Sequence, residues 1–170
     1  LFAEILTGAG PGANFNPQVR AFNYDGTTVT AIAKVSFNAF AAPGYGVAVA
    51  GGSVDGDPPA EMACAPGPGP TTSHPARFLG YNYDNQSVAP LPGFDTSLAG
   101  STRGGRVALG DVSGDGKADL LGALGPAPSA SSSVSAWRYA TGTLVALPGL
   151  MTPFAPAGYG ANVAAGSLGH

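Results

Sequence analysis

Acidic side chains are concentrated in two short segments of a chain that otherwise carries little charge. Six of the ten Asp and Glu residues lie within 53–61 and 111–119, although only 10% of all residues are charged. Carboxylates repel one another, so crowding them in such a chain predicts a bound cation. Their hard oxygens favour Ca²⁺ over Zn²⁺ or a soft metal, and Mg²⁺ fits less well because it usually keeps several waters.

The segment "DVSGDGKAD" at 111–119 is the more complete of the two. It places oxygen atoms at alternate positions, and its two glycines permit the loop to curl tightly around an ion. The predicted ligands are Asp111, Ser113, Asp115, the carbonyl of Lys117, and Asp119.

The segment "SVDGDPPAE" at 53–61 aligns with the first but begins with Ser in place of Asp. This difference predicts a weaker metal site, with a water-solvated acidic turn as the alternative for both segments. Pro59 stands at the carbonyl position, and the predicted side-chain ligands are Ser53, Asp55, Asp57 and Glu61.

The elements that position these loops are internal repeats. Residues 44–70 align with 102–128 without a gap, "GYGANVAAGS" at 158–167 begins the same unit again, and "AEILTGAGPGA" at 3–13 enters it in its middle. We therefore predict a single repeat domain over 1–170. Two of its three units are 44–101 and 102–157. The third is split between the two ends of the chain and consists of 158–170 plus 1–43.

Each unit is predicted to contain four short strands, with the acidic loop between the first two. The first strands are "VAVA", "VALG" and "NVAA", whose small residues indicate tight packing near an axis, and the second are "EILTGA", "EMACA" and "DLLGAL". A Gly-Pro turn leads to "QVRAFNY", "ARFLGYNY" and "SVSAWRY", and Asp25-Gly26 predicts a hairpin into a fourth strand. The fold class is all-β, with propeller-type blades of four antiparallel strands; an ordinary β-sandwich would not predict the self-similarity.

Composition excludes several classes of protein. Glycine and proline are abundant and charge is scarce, which excludes helical bundles and coiled coils. The net charge is −3 and the seven Lys and Arg residues are scattered, so a nucleic-acid partner is not expected. No apolar stretch approaches the length of a membrane-spanning helix. No signal peptide is evident, and a first residue other than Met suggests a processed product or a piece of a longer chain.

Few residues suggest catalysis. His74 and His170 neighbour no nucleophile motif, so we expect no enzyme, and Cys64, the only cysteine, is predicted to be a small buried filler. Two aromatic registers recur in the units and are interpreted as packing between blades, with a sugar-stacking platform as the alternative. They are Phe22, Tyr81 and Trp137, and Tyr24, Tyr83 and Tyr139.

The sequence of the loop at 111–119 fits some known calcium-binding motifs better than others. An EF-hand would need Glu at its twelfth position, which here is Gly122, and a dockerin would need a helix where "LLGALGPAP" follows. The segment "GDVSGDGKADLL" resembles the FG-GAP repeat of integrin-α-type propellers, and the resemblance covers the whole chain as three repeats. It implies a β-propeller with a structural calcium between the first two strands of a blade. Bacterial surface proteins, the integrin α-chain head and a fungal lectin share this repeat.

These patterns together predict a non-enzymatic, calcium-stabilised protein, extracellular or at the cell surface, that serves adhesion or ligand binding. Three blades cannot close a ring. Copies of the chain itself are therefore expected as partners, joined head-to-tail by strand exchange that completes the split unit; the alternative is a longer chain that contains the other blades. A glycan or protein ligand is a further expected partner. Two copies would give six blades. The alternatives are a structural subunit that polymerises into a surface fibre or sheath, and a carbohydrate-binding lectin. Neither nucleic acid nor membrane insertion is expected.

Overall fold

Eleven β-strands and no helix make up the part of the chain that the computed structural model describes, residues 4–70, 74–149, 151–154 and 158–167. The all-β prediction is confirmed at this level. The outermost residues of the split unit, 1–3 and 168–170 with His170, lie outside the described residues. The strands are β1 (Ile5–Gly8), β2 (Gln18–Tyr24), β3 (Val29–Asn38), β4 (Val47–Gly52), β5 (Glu61–Pro66), β6 (Ala76–Tyr83), β7 (Val88–Leu98), β8 (Gly105–Gly110), β9 (Asp119–Leu124), β10 (Val134–Ala140) and β11 (Thr143–Ala146).

The strands form three antiparallel sheets in which neighbours in sequence are neighbours in space. The first sheet is β1-β2-β3, the second β4-β5-β6-β7 and the third β8-β9-β10-β11. The second and third sheets use the same register, since β4 pairs Gly52 with Glu61 and β8 pairs Gly110 with Asp119. This equivalence is the one that the alignment of 44–70 with 102–128 predicts.

The hairpin predicted at Asp25-Gly26 joins β2 to β3, with Tyr24 paired to Val29. One Asp25 oxygen, Oδ1, accepts the N–H groups of Thr27 and Thr28 at 2.9 and 2.7 Å. These two donors stabilise the ionised carboxylate and so lower the pKa of Asp25 below its ordinary value. The turn therefore closes through a side chain that the sequence places at its first position.

The split unit differs from the prediction. Residues 161–167, which include the predicted strand "NVAA", form no strand in the described chain, and the first sheet has three strands instead of four. The reason is topological. Strands β4 and β8 each pair with a second strand that follows them in the chain, whereas the second strand of the split unit is β1, which lies at the opposite end of the row of sheets.

Aromatic and small residues form the core between the sheets. Phe78 on β6 is fully buried, and its ring centroid lies 5.9 Å from that of Trp137 on β10. A Cβ added to Gly105 or Gly122 would lie 3.1 or 2.6 Å from the Phe78 ring, so these glycines make room for it. A second cluster fills the space between the first and second sheets; its buried members are Val19, Ala21, Val35, Ala39, Val47, Met62, Cys64 and Tyr81.

The repeated aromatic residues pack between sheets in the second and third units. The Tyr81 ring lies 4.7 Å from Phe37 of the first sheet, and its hydroxyl donates to a carbonyl there. Tyr139 likewise packs on Phe94 at 5.8 Å. Tyr24, the first-unit equivalent of Tyr139, is 44% exposed. Packing is thus the observed role of these rings wherever a preceding sheet is present.

Backbone contacts through glycine join each unit to the one before it. Gly46, Gly104 and Gly160 have φ values of 67, 72 and 69°. A Cβ at these positions would lie 2.1, 2.2 and 2.1 Å from the carbonyl oxygens of, respectively, Ala9, Pro66 and Leu124. Both the left-handed backbone and the absence of space require glycine.

We expect Phe78→Ala to lower the free energy of unfolding by about 3–5 kcal/mol, because it removes a ring enclosed by two sheets and leaves a cavity. Phe154→Ala is the matched control: Phe154 is 64% exposed, and its truncation should change stability by less than about 0.5 kcal/mol. Urea unfolding of both variants measures the difference. Equal effects would contradict the placement of the core.

Candidate metal centre

The two acidic loops lie side by side at one end of the second and third sheets. Residues 53–60 connect β4 to β5, and residues 111–118 connect β8 to β9. The Ala118 N–H donates to the Ser53 carbonyl at 2.7 Å, and Lys117 Nζ donates to the Asp55 carbonyl at 2.6 Å. The loops therefore support each other across the interface between sheets.

The loop at 53–61 brings three carboxylates together. One ligand oxygen from each of Asp55, Asp57 and Glu61 lies within 4.8 Å of the others. Within the described ranges, no other group of three or more His, Cys, Asp or Glu side chains meets this condition. Oxygen ligands at this separation fit a hard cation such as Ca²⁺.

Glu61 is the buried member of this group. It begins β5, is 1% exposed, and its Oε2 accepts the Val54 N–H at 2.7 Å. Its Oε1 is buried and has no hydrogen-bond partner among the described residues. A buried carboxylate oxygen without a donor is costly, and a cation at this position would supply the missing interaction.

Electrostatics in this loop reflect uncompensated negative charge. Burial raises the pKa of Glu61, since it disfavours the charged form. The pKa of Asp57 is also raised, first by a side-chain hydrogen bond with Asp55 and then by repulsion from it. A divalent cation would reverse both effects by favouring the ionised carboxylates.

The loop at 111–119 satisfies its carboxylates differently. The buried Asp119 is the equivalent of Glu61, and its Oδ2 accepts the N–H groups of Val112 and Ser113 at 2.9 and 2.7 Å. Asp111 accepts three backbone N–H groups within the loop, and Asp115 accepts that of Lys117 at 3.0 Å. A carboxylate has about four acceptor sites, so Asp111, Asp115 and Asp119 keep sites for a cation.

The two loops differ in the positions of their acidic residues and in one backbone donor, since Asp55 stands at the position of Ser113 and Pro59 at that of Lys117. Lys117 donates its backbone N–H to Asp115, whereas its equivalent, Pro59, has no N–H to give to Asp57. The carboxylates of 53–61 accept fewer backbone N–H groups than those of 111–119, and those of Asp55, Asp57 and Glu61 lie close together. The sequence ranked 111–119 first, and the structure gathers the tighter group in 53–61.

Two of the predicted ligands are serine hydroxyls, and one lysine side chain has a role that the sequence did not predict. The Ser53 hydroxyl donates to the Asp57 carbonyl at 3.2 Å, and the Ser113 hydroxyl donates to Asp119 Oδ1 at 3.3 Å. The sequence predicts a role only for the carbonyl of Lys117, but its side chain also links the two loops, beside the backbone bond from Ala118 to Ser53. That link depends on the stacking of units, which no local motif encodes.

Other groups with chemical potential lie apart from these loops. Cys64 is fully buried, as predicted, and burial raises the pKa of its thiol to about 12. His74 is buried where the second and third sheets meet, and its ring lies 5.3 Å from that of Tyr45. No helix within the described part of the chain is long and apolar enough to cross a membrane.

Comparison with protein-family models, with curated proteins and with solved structures finds no match to this chain. The site is therefore interpreted from its own geometry.

Lys117→Met tests the link between the loops. Met keeps the aliphatic contact over Gly56 but removes the hydrogen bond to Asp55, so we expect a loss of about 1 kcal/mol in stability in chelator. Because the ammonium also opposes a nearby cation, the calcium-induced rise in Tm should exceed that of the parent. The matched control is Lys34→Met, whose exposed ammonium contacts only the Gln86 side chain among the contacts described; it should change neither quantity. A Lys117→Met variant indistinguishable from this control would refute the link.

Proposed function

We propose that this chain is a non-enzymatic, calcium-stabilised repeat protein of the β-propeller type that serves adhesion or ligand binding outside the cell. The observation that carries the proposal is the buried Glu61 carboxylate. Within the part of the chain that the structure describes, its Oε1 has no hydrogen-bond partner, and it lies within 4.8 Å of the ligand oxygens of Asp55 and Asp57. A structure that encloses such a group gains stability when a cation binds it.

Asp55, Asp57 and Glu61 would hold the ion in the second unit, with Ser53 beside them. In the third unit, Asp111, Ser113, Asp115, the Lys117 carbonyl and Asp119 are the corresponding residues. Calcium would supply charge neutralisation and no redox or Lewis-acid chemistry. By fixing the loop to the first residue of the second strand, it would stabilise the pairing of the first two strands in each unit.

The propeller-type architecture is supported by three features of the described residues. Each sheet is a meander in strict sequence order. The first strands β4 and β8 contact each other across the sheet interface. The glycine contact at Gly46 recurs at Gly104 and Gly160. Repeated blades that pack through their innermost strands have these properties, and they agree with the resemblance of 107–121 to the FG-GAP repeat.

The extracellular location follows from the proposed role of calcium. Sites of this kind in extracellular modules bind at about 10⁻⁴–10⁻³ M, a concentration reached outside cells and not in the cytosol. Three carboxylates in an open loop, one of them buried, suit this range better than a high-affinity site. Binding or adhesion is the function shared by the extracellular proteins that the repeat resembles.

The variant Glu61→Gln tests the metal site with little change to the fold. In chelator, the neutral amide removes an unpartnered buried charge and keeps the acceptor for Val54, so we expect Tm to equal or exceed that of the parent. In millimolar calcium, the parent should gain several degrees, and the variant should gain less than half as much.

Glu4→Gln is the matched control, because Glu4 holds the equivalent position in the split unit but is exposed. Its calcium response should match that of the parent. Differential scanning calorimetry with and without calcium measures all three proteins. A parent whose Tm does not change with calcium would overturn the proposal.

A further inference from the structure

We propose that the outer edge of β1 is a binding site for residues 161–166 of a second copy of this chain, which add the missing first strand to the first sheet. The inference rests on the repeat architecture proposed above and specifies the partner. Features of the described residues at both the donor end and the acceptor end support it.

The donor segment is held at its start in the manner of a first strand. Tyr159, Gly160 and Ala161 donate their N–H groups to Ala127, Ala130 and Leu124 of the third unit, at 2.8, 3.2 and 3.4 Å. The equivalent residues between the first two sheets make the same contacts: Tyr45 to Gly12 at 2.8 Å, Gly46 to Phe15 at 2.9 Å, and Val47 to Ala9 at 3.0 Å. The positive φ of Tyr45, 63°, also recurs at Tyr159, 67°.

Beyond this anchor, the donor segment resembles β4 in sequence but pairs with no strand among the described residues. "GYGANVAAGS" repeats most of "GYGVAVAGGS" at 44–53. Asn162 and 164–166 are exposed, whereas the equivalent residues of β8 are buried or half-buried. The segment is thus placed at the beginning of a first strand with its hydrogen-bonding edge available.

At the acceptor end, Gly10 has space where its equivalents have none. A Cβ on Gly67 would lie 1.7 Å from the Tyr45 carbonyl oxygen, and one on Gly125 would lie 2.1 Å from that of Arg103. In both cases the contacted carbonyl belongs to the segment that leads into the first strand of the same unit. A Cβ on Gly10 would meet nothing within 4 Å. The residue that would fill this space is Tyr159 of a second copy.

Glu4, the residue before β1, is also less enclosed than its equivalents in the other two units. Its equivalents Glu61 and Asp119 are each 1% exposed and accept backbone N–H groups from the loop that follows the first strand. Glu4 is exposed. Its carboxylate is therefore positioned for a loop that the described residues of this copy do not provide.

A groove of about 500 Å³ runs between the facing sides of the first two sheets. Leu6, Gly51 and Ala60 line it, as do residues of β2 and β3. At the next interface, between the second and third sheets, a Cβ added to Gly52 would lie 3.0 Å from the Cβ atoms of both Leu109 and Ala118. By the same equivalence, Gly166 of a second copy would face Gly51 and Ala60.

The register follows from β4 and β5. In β4 and β5, Val49 pairs with Cys64 and Gly52 pairs with Glu61. The equivalent pairs between two copies are Val163 with Thr7 and Gly166 with Glu4. The contact is head-to-tail, because donor and acceptor lie on different surfaces of each copy. Repetition therefore closes a ring, which pairs every β1 edge, or continues as an open polymer, which pairs all but the one at its end.

The first test is Gly10→Ala, measured as mass in solution by light scattering on a sizing column. We expect the parent to form species heavier than its 16.6 kDa chain, and the variant to be monomeric with an unchanged Tm at low protein concentration. The added methyl has free space in one copy but would collide with an arriving carbonyl. Gly125→Ala is the matched comparison, because the same collision then occurs within one copy and lowers Tm.

The second test traps the register with a disulfide. Thr7→Cys combined with Val163→Cys places the two thiols directly opposite each other across antiparallel strands, within the range of Cα separations that a disulfide spans. Oxidation should give covalent dimers and larger species. Leu6→Cys combined with Val163→Cys is the control, since neighbouring residues of a strand point to opposite faces and this pair should not cross-link.

A discrete dimer supports the proposal as a closed ring of six units, and a heterogeneous heavy population supports it as an open polymer. A parent that is monomeric at high concentration, or equal cross-linking by both cysteine pairs, would overturn it. All measurements are made in chelator, since the split unit has no carboxylate pair for metal. Failure of assembly would thus leave the calcium proposal intact, and failure of the calcium response would leave this one intact.

Discussion

The structure depends on a backbone contact that only glycine permits. At Gly46, Gly104 and Gly160, the chain enters a new unit with a positive φ and passes directly against the carbonyl oxygens that end the second strand of the unit before it. This contact brings backbone against backbone, so it fixes the distance between consecutive sheets more strictly than side-chain packing would. Because the same contact recurs, each sheet is placed on the previous one in the same way.

The position of the acidic loops is a consequence of that stacking. When first strands lie next to each other, the loops that follow them do so as well, and Lys117 of one unit can reach Asp55 of the one before. The crowding of carboxylates in 53–61 is thus partly offset by a cation from the neighbouring unit. Burial of Glu61 at the beginning of β5 leaves the remaining imbalance, which calcium would relieve.

Much of the fold could be predicted from the sequence because local pattern and repetition agree. The segments "QVRAFNY", "ARFLGYNY" and "DLLGAL" correspond residue for residue to β2, β6 and β9. Alternation identified the strands, Gly-Pro segments marked the turns, and alignment of the units supplied the pairing. The approximate location of the acidic site followed from residue type alone.

The remaining features depend on context that a single unit does not contain. The segment 162–165 has the composition of a strand but forms none, because a strand requires a neighbour and its own lies at the far end of the row of sheets. The sequence ranks the acidic loops by the leading ligand position, which is Asp111 in one and Ser53 in the other, whereas the structure gathers three carboxylates in 53–61. The Lys117 side chain contacts the acidic loop of the neighbouring unit, and a motif within a single unit does not predict such a contact.

A crystal structure determined from crystals grown in millimolar calcium tests the central claim most directly. Our account predicts an ion bound by oxygens of Asp55, Asp57 and Glu61 at about 2.3–2.6 Å, with Glu61 Oε1 as a ligand. A loop that holds no ion under these conditions, with Glu61 Oε1 bonded instead to water or to a protein donor, would contradict it.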